Sequence, residues 1–390
     1  MPQFNMLMYL AILLFAGLLF GRLVKQIKLP NVTGYLLACL LLGPYVLGIV
    51  PADFLDSLSI ISDIALAFIA FTIGCELQIS YFKRAGATPI VIAILESLMA
   101  VFVVQGVLIA AGYDPAFAVL LGAIAAATAP AATVMVIKQY KARGPVTETL
   151  LSVVALDDAV ALIAFGFAVT IAKVINGGGE SLAVSLMSPL WEVLLSFLIG
   201  GTIGLLFKLP LRYFKKSGNR LIIMSGMVFA SSGLAGWLGA SQLLACMATG
   251  AVMYNIAEEG EDIARLSDLV TPPIFLLFFV VSGAQLDITI IPSIGVVGIL
   301  YVVFRVVGKL LGASLGAKIM KAPKEVARYL GPALIPQAGV AIGLISVAQA
   351  VVPEYAPQIR AVILCGTFIY EIIGPVIAKI SLTKAGEIEV

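Results

Sequence analysis

Histidine is absent from this 390-residue chain. Its absence removes imidazole metal ligands and imidazole proton relays, so any proton chemistry falls to carboxylates, lysine, tyrosine or cysteine. Charge is scarce too. Asp, Glu, Lys and Arg make up 12% of residues, about half the usual ~25% of a soluble domain. The four cysteines, Cys39, Cys75, Cys246 and Cys365, lie in apolar stretches and form no Cys-x-x-Cys pair, so they read as small buried hydrophobes. The net charge is only +2, which offers no basic footprint for nucleic acid. No stretch is polar enough for a soluble domain, and no cofactor is expected.

What remains is apolar. Hydrophobic residues make up 61% of the chain and the mean hydropathy is +1.10, so lipid is the expected solvent. A helix crossing a bilayer needs ~20 mostly apolar residues. On that length the chain is expected to be an all-α membrane protein with thirteen transmembrane helices, near 5–26, 30–50, 58–80, 87–112, 115–137, 147–174, 187–208, 219–238, 240–257, 270–288, 291–318, 325–351 and 357–382. The first span is not read as a cleavable leader. It is apolar from Met6, and its basic residues Arg22, Lys25 and Lys28 come at its end, the reverse of a signal peptide.

The basic residues orient these spans. Twenty of the 24 fall in or beside the loops after odd-numbered spans or at the C-terminal end. Positive charge accumulates on the cytoplasmic side. The expected arrangement is therefore a multi-pass protein of the cell (inner) membrane, in contact with lipid, with the N-terminus outside and the C-terminus cytoplasmic. The turn Glu258-Glu259-Gly260-Glu261-Asp262 reads as a solvated cytoplasmic loop.

The chain also repeats itself. Leu36-Leu37-Ala38-Cys39, with Gly43, recurs as Leu243-Leu244-Ala245-Cys246 with Gly250. Gly74-Cys75-Glu76-Leu77-Gln78-Ile79 resembles Gly283-Ala284-Gln285-Leu286-Asp287-Ile288. The shift is seven spans, an odd number, so the copies face opposite ways, as in the inverted repeats of secondary transporters. Residues 1–182 are expected to form the first six-helix repeat, 183–217 a linker helix and 218–390 the second repeat.

The repeat relates spans 5 and 12, and proline interrupts both. Pro130 follows Ala127-Thr128-Ala129 and precedes Thr133, and Pro336 lies in Ile335-Pro336-Gln337. Proline removes a backbone donor and clashes with the preceding turn. Matched broken helices in two halves mark a binding site. Span 6 carries Asp157 and Asp158 in an apolar run. Each buried carboxylate costs roughly 2.5–3.5 kcal/mol at a helix centre, so two in succession call for a role. Counting at ~1.5 Å per residue, Asp157 lies about 15 Å from its cytoplasmic end and Lys309, in span 11, about 14 Å from its own. Neighbouring residues diverge by ~100° around a helix. One aspartate can face Lys309 while the other faces a cavity. Arg305 and Glu371 are read as a structural ion pair. Glu96 is read as a funnel or packing residue nearer the cytoplasm.

Thr128-Ala129-Pro130 with Thr133, the pair Asp157-Asp158, and Val307-Gly308-Lys309-Leu310-Leu311-Gly312 together resemble the monovalent cation:proton antiporter family 2, of the sodium/hydrogen exchanger fold. The resemblance covers essentially the whole chain. It implies a core transport domain, from spans 3–6 and 10–13, that moves against a dimerisation domain in a homodimer. It implies that Asp158 binds the cation and protons and that Asp157 pairs with Lys309. It also implies electrogenic exchange, because electroneutral relatives commonly carry Asn-Asp. Two features depart from the family. Pro336-Gln337-Ala338-Gly339 lacks the charges many relatives carry there. With only a short stretch after the last span, the soluble domain of Kef-type members is not expected.

The expected function is exchange of a monovalent cation, sodium ahead of lithium or potassium, for protons. Hydroxyls of Thr128 and Thr133 are expected to help coordinate the cation. The rival is a sodium-coupled organic-anion symporter of similar inverted-repeat fold, with Arg305 as its anion partner. An enzyme is not expected. Intramembrane aspartyl proteases draw their two aspartates from different helices, and here they are adjacent.

Overall fold

A computed structural model describes residues 4–26, 28–51, 54, 59–77, 79–176, 182–284, 294–337 and 339–388. Among these the secondary structure is entirely helical. The chain runs through α1 (Met6–Gln26), α2 (Asn31–Leu42), α3 (Ser59–Glu76), α4 (Ile79–Ala85), α5 (Thr88–Ala110), α6 (Pro115–Ile124), α7 (Pro130–Tyr140), α8 (Pro145–Ile175) and α9 (Leu182–Leu206). It continues through α10 (Lys208–Tyr213), α11 (Ser217–Trp237), α12 (Gln242–Ile256), α13 (Gly260–Ala284), α14 (Gly295–Ile319), α15 (Lys324–Ala333), α16 (Gly339–Val351) and α17 (Ala356–Lys384). Among the described residues, seven helices are long and apolar enough to cross a membrane by length and composition, including α5, α8 and α14. Their outer faces fit lipid: Leu7, Phe15, Ile222 and Trp237 are 73–81% exposed, while Glu96, Asp157, Asp158, Arg305, Lys309 and Glu371 are buried.

Local chemistry sets several boundaries. Pro115, Pro130 and Pro145 each open a helix, where the missing N–H costs nothing. The Asp114 carboxylate caps α6 by accepting from the Phe117 amide at 2.9 Å.

The chain divides into two compact units. One comprises Met1–Leu23, Gly34–Arg84 and Trp191–Gln285. In it α3 packs on α12 at backbone distance. A methyl group on Gly74 would overlap the Met247 carbonyl, and one on Gly250 would overlap that of Phe71. Thr72 and Ser267 share a buried 2.9 Å hydrogen bond between α3 and α13. α3 and α13, which occupy spans 3 and 10, pack in this unit. The acidic turn expected to be solvated supplies Asp262 and Glu259, at 2.7 and 3.5 Å from Arg220. Residues 285–288, four of the six residues in the later copy of the second repeat match, lie outside the described residues, as does the side chain of Glu76.

The other unit comprises Val24–Thr33, Ala85–Leu190 and Leu286–Val390. Its axis is the antiparallel pair α5 and α14. Methyl groups on Gly308, Gly312 and Gly316 would lie 2.5, 2.5 and 2.9 Å from the Cα atoms of Ala100, Glu96 and Ile92. Glycine every fourth residue strips one helix face of side chains and lets α5 lie directly on it. Two helices of this unit are interrupted. Residues 125–129 separate α6 from α7, and residues 334–337 lie between α15 and α16.

Candidate functional site

The two breaks cross. The Ala129 amide of the first donates to the Pro336 carbonyl of the second at 2.8 Å. Broken helices leave carbonyls with no partner in their own backbone, and these must be satisfied inside protein. Residues at intervals of four on α14 supply most of the donors. Arg305 donates from Nε to the Ala125 carbonyl at 3.0 Å, and from its two terminal nitrogens to Ala127 and Ile335 at 2.7 Å each. Its guanidinium also lies 4.5 Å over the Tyr370 ring. One turn away, Tyr301 pairs with Gln337, and the Gln337 amide donates to the Ile124 carbonyl at 2.9 Å. Thr133 donates across to the Ala333 carbonyl at 3.2 Å.

Lys309, one turn further along α14, has different company. It donates to the Ala126 carbonyl and, at 2.8 Å, to the Thr128 hydroxyl. Its ammonium is 3.2 Å from Asp157 Oδ2 and 2.7 Å from Glu96 Oε2. Ser97 Oγ lies within hydrogen-bonding reach of both carboxylates. An ammonium has three protons to give, and five oxygens from four groups surround this one. Asp158, the next residue after Asp157, turns elsewhere. It is 4% exposed, and its Oδ1 is buried without a hydrogen-bond partner.

Three carboxylates, Glu96, Asp157 and Asp158, thus accompany a single ammonium. With all of them ionised the cluster carries two excess negative charges, a strong demand for protons or cations in a low-dielectric interior. The chain matches the sodium/hydrogen exchanger transmembrane family over residues 10–383. This protein belongs to that family. It is similar to cation/H(+) antiporter 20 of Arabidopsis thaliana, 27% identical over 79% of this chain and 40% of the plant protein. It is also similar to the Na(+)/H(+) antiporter NhaS4 of Synechocystis, 25% identical over 84% of each chain. The chain therefore spans about two fifths of the plant relative's length and over four fifths of the cyanobacterial one's. Its fold matches that of the sodium proton antiporter MjNhaP1 from Methanocaldococcus jannaschii with a TM-score of 0.76, at 17% identity, over 97% of this chain and 98% of that one. The protein is a multi-pass, all-helical membrane protein.

Within this family member the residues singled out from sequence divide into groups. Asp157, Lys309 and Thr128 come together. Pro130 opens α7 directly after the first break, and Pro336 sits in the second. Thr133 bridges the two broken helices. The ion pair expected between Arg305 and Glu371 does not form. Arg305 binds backbone carbonyls, and Glu371 Oε1 is buried without a hydrogen-bond partner. Unwound backbone offers more acceptors, closer to hand, than the single carboxylate on α17. Sequence reasoning undervalued Glu96, which makes the shorter of the lysine's two ion pairs, and missed Ser97, Tyr301 and Gln337. The signal for Glu96 was the Gly308-x-x-x-Gly312-x-x-x-Gly316 stripe beside Lys309, which requires another helix backbone at that level.

Proposed function

We propose that this protein exchanges a monovalent cation for protons by alternating access, with Asp158 as the carboxylate that the two ligands share. Sodium is the first candidate, ahead of lithium and potassium. One observation carries the assignment: Asp158 presents a buried oxygen with no hydrogen-bond partner, next to a lysine already engaged by Asp157 and Glu96. A cation arriving there exchanges hydration for the carboxylate and for oxygens freed at the crossed breaks. A proton occupies the same oxygen instead. Thr128 and Thr133 add hydroxyl oxygens, each with two lone pairs. Only the charge-compensated site crosses between the two membrane faces, so one ligand moves in as the other moves out.

The finer architecture belongs to the same proposal. Thirteen crossings in two inverted repeats are supported by the repeated motifs and the alternating basic loops, which also support an outside N-terminus and a cytoplasmic C-terminus. The unit containing α5–α8 and α14–α17, which holds the whole charge cluster, is the transport core. The other unit mediates homodimer formation, and the mass of the purified protein in detergent tests this. Exchange is electrogenic, a reading supported by Asp157-Asp158 standing where electroneutral relatives commonly carry Asn-Asp.

The decisive experiment is exchange in proteoliposomes with a pH-sensitive dye. Asp158→Asn should abolish cation-dependent proton flux while the protein stays folded. Near-normal exchange in that variant would end the assignment. In the unaltered protein the apparent KM for the cation should rise as pH falls, because protons compete for the same oxygen. A pH-independent KM would contradict a shared site. A sodium-coupled organic-anion symporter is disfavoured by the engagement of both central cations, Arg305 with three carbonyls and Lys309 with two carboxylates.

A further inference from the structure

The helix that carries Asp157 and Asp158 is held at its other end by a residue far away in sequence. α17 finishes with Ala385 as its C-cap. Gly386 follows with φ of 76°, a left-handed conformation that glycine adopts without steric cost. The Gly386 amide donates to the Thr383 carbonyl and the Glu387 amide to the Leu382 carbonyl, each at 3.0 Å. This pair of bonds is the Schellman motif, which ends a helix and turns the chain back. The reversal delivers Glu387 to the first turn of α8.

There the Glu387 carboxylate accepts three hydrogen bonds. Oε1 takes the Val146 amide at 2.7 Å. Oε2 takes the Thr147 amide at 2.7 Å and the Thr147 hydroxyl at 2.6 Å. The Arg143 amide donates to the Glu387 carbonyl at 3.2 Å. Glu387 is 9% exposed, and Ile388 after it is buried in one cluster with Val146, Leu150 and Leu382. Gly144 makes room. Its φ is 150°, and a methyl group there would lie 2.5 Å from the carboxyl carbon of Glu387. The first N–H groups of a helix lack intrahelical partners and carry the positive end of its dipole. A carboxylate bound to two of them fixes that end of α8 both by charge and by direction. Gly144, the residue before α8, has no side chain with which to cap this end.

We propose that Glu387 is a positioning residue for the exchange reaction. Clamped on the first turn of α8, it sets the rotation and axial level at which Asp157 and Asp158 meet Lys309 and the crossed breaks. Asp157 lies twelve residues after Pro145, roughly 18 Å along a helix at ~1.5 Å per residue. A rigid α-helix transmits a shift at its first turn over that span. The inference rests on the exchange reading above, and its test separates the two.

Sodium-driven proton flux is measured in proteoliposomes for Glu387→Ala, Glu387→Gln, Thr147→Val and Gly144→Ala, below the melting temperature of every variant, with Asp158→Asn alongside. Glu387→Ala and Gly144→Ala should raise the KM for sodium severalfold with a smaller loss of maximal rate per folded transporter. Glu387→Gln, which loses the charge and one acceptor, should fall between these and the unaltered protein. Thr147→Val, which removes one bond of three, should shift KM least. A purely structural cap predicts lower melting temperatures with KM unchanged, and that result in the folded variants would overturn the proposal. Where Glu387→Ala does not fold, Thr147→Val and Glu387→Gln decide the question by the same criterion. If the unaltered protein shows no exchange, or Asp158→Asn retains it, the functional reading fails instead.

Discussion

Arg305 and Lys309 sit one turn apart on α14, both fully buried, yet their surroundings have little in common. Arg305 is bound to three backbone carbonyls and stacked on a tyrosine ring, with no carboxylate in ion-pair contact among the described residues. Lys309 is bound to two carboxylates, a hydroxyl and one carbonyl. The partners suit the side chains. A planar guanidinium projects fixed donors in several directions at once and can tie both crossed breaks together. An ammonium is a compact charge whose carboxylate partners can be neutralised and released. The comparison separates a cation that holds the site's shape from one that takes part in its charge balance.

Removing Arg305 should have the largest effect, and it should fall on stability. Arg305→Ala leaves the carbonyls of Ala125, Ala127 and Ile335 without these donors. Each buried polar group left unsatisfied costs about 1–3 kcal/mol. The expected outcome is a protein that purifies poorly or melts far below its parent, with exchange lost as a consequence. Thermal unfolding in detergent checks this. A near-normal melting temperature would break the contrast between the two cations.

Lys309→Gln should act more on charge movement than on folding. Glutamine still offers donors to Ala126 and Thr128, but Glu96 and Asp157 lose the charge between them. The expected result is a smaller loss of stability than for Arg305→Ala, together with a changed charge moved per cycle. Current recordings from proteoliposomes adsorbed on a supported membrane read that charge directly. Unaltered electrogenic exchange would show that Lys309, like Arg305, only holds shape.

Much of this arrangement was legible from sequence. Two aspartates in an apolar run have few explanations, and depth counting placed Lys309 level with them. Prolines at 130 and 336 located both interruptions. The rest was hidden for physical reasons. An unwound carbonyl has no residue type, so it cannot be found by looking for charges. From sequence Arg305 is expected to pair with the carboxylate of Glu371, whereas its partners are backbone carbonyls. Glu96 was placed by depth along α5 without regard to its direction. The direction is set by how α5 lies against Gly308, Gly312 and Gly316. Gly74 and Gly250 bring α3 onto α12 at backbone distance, and apolar composition does not reveal such contacts.

Thr133 offers the smallest and sharpest test. Its hydroxyl joins the two broken helices through one bond to the Ala333 carbonyl at 3.2 Å, and in the proposed cycle its oxygen also helps bind the cation. Thr133→Val keeps the branched shape and removes only that oxygen. If the hydroxyl serves the crossing alone, the loss resembles a small version of Arg305→Ala, about 1 kcal/mol of stability with sodium KM unchanged. If it also contacts the cation, KM rises and the order of preference among sodium, lithium and potassium shifts, because one ligand oxygen has gone. Melting and cation titration of one variant therefore assign Thr133 to the side of Arg305 or to the side of Lys309. The second outcome is the one expected, since Thr133 follows the break within the first turn of α7, where its oxygen lies close to the freed backbone. An unchanged cation order would return Thr133 to a purely structural role and leave Asp158, Thr128 and the freed carbonyls as the proposed ligands.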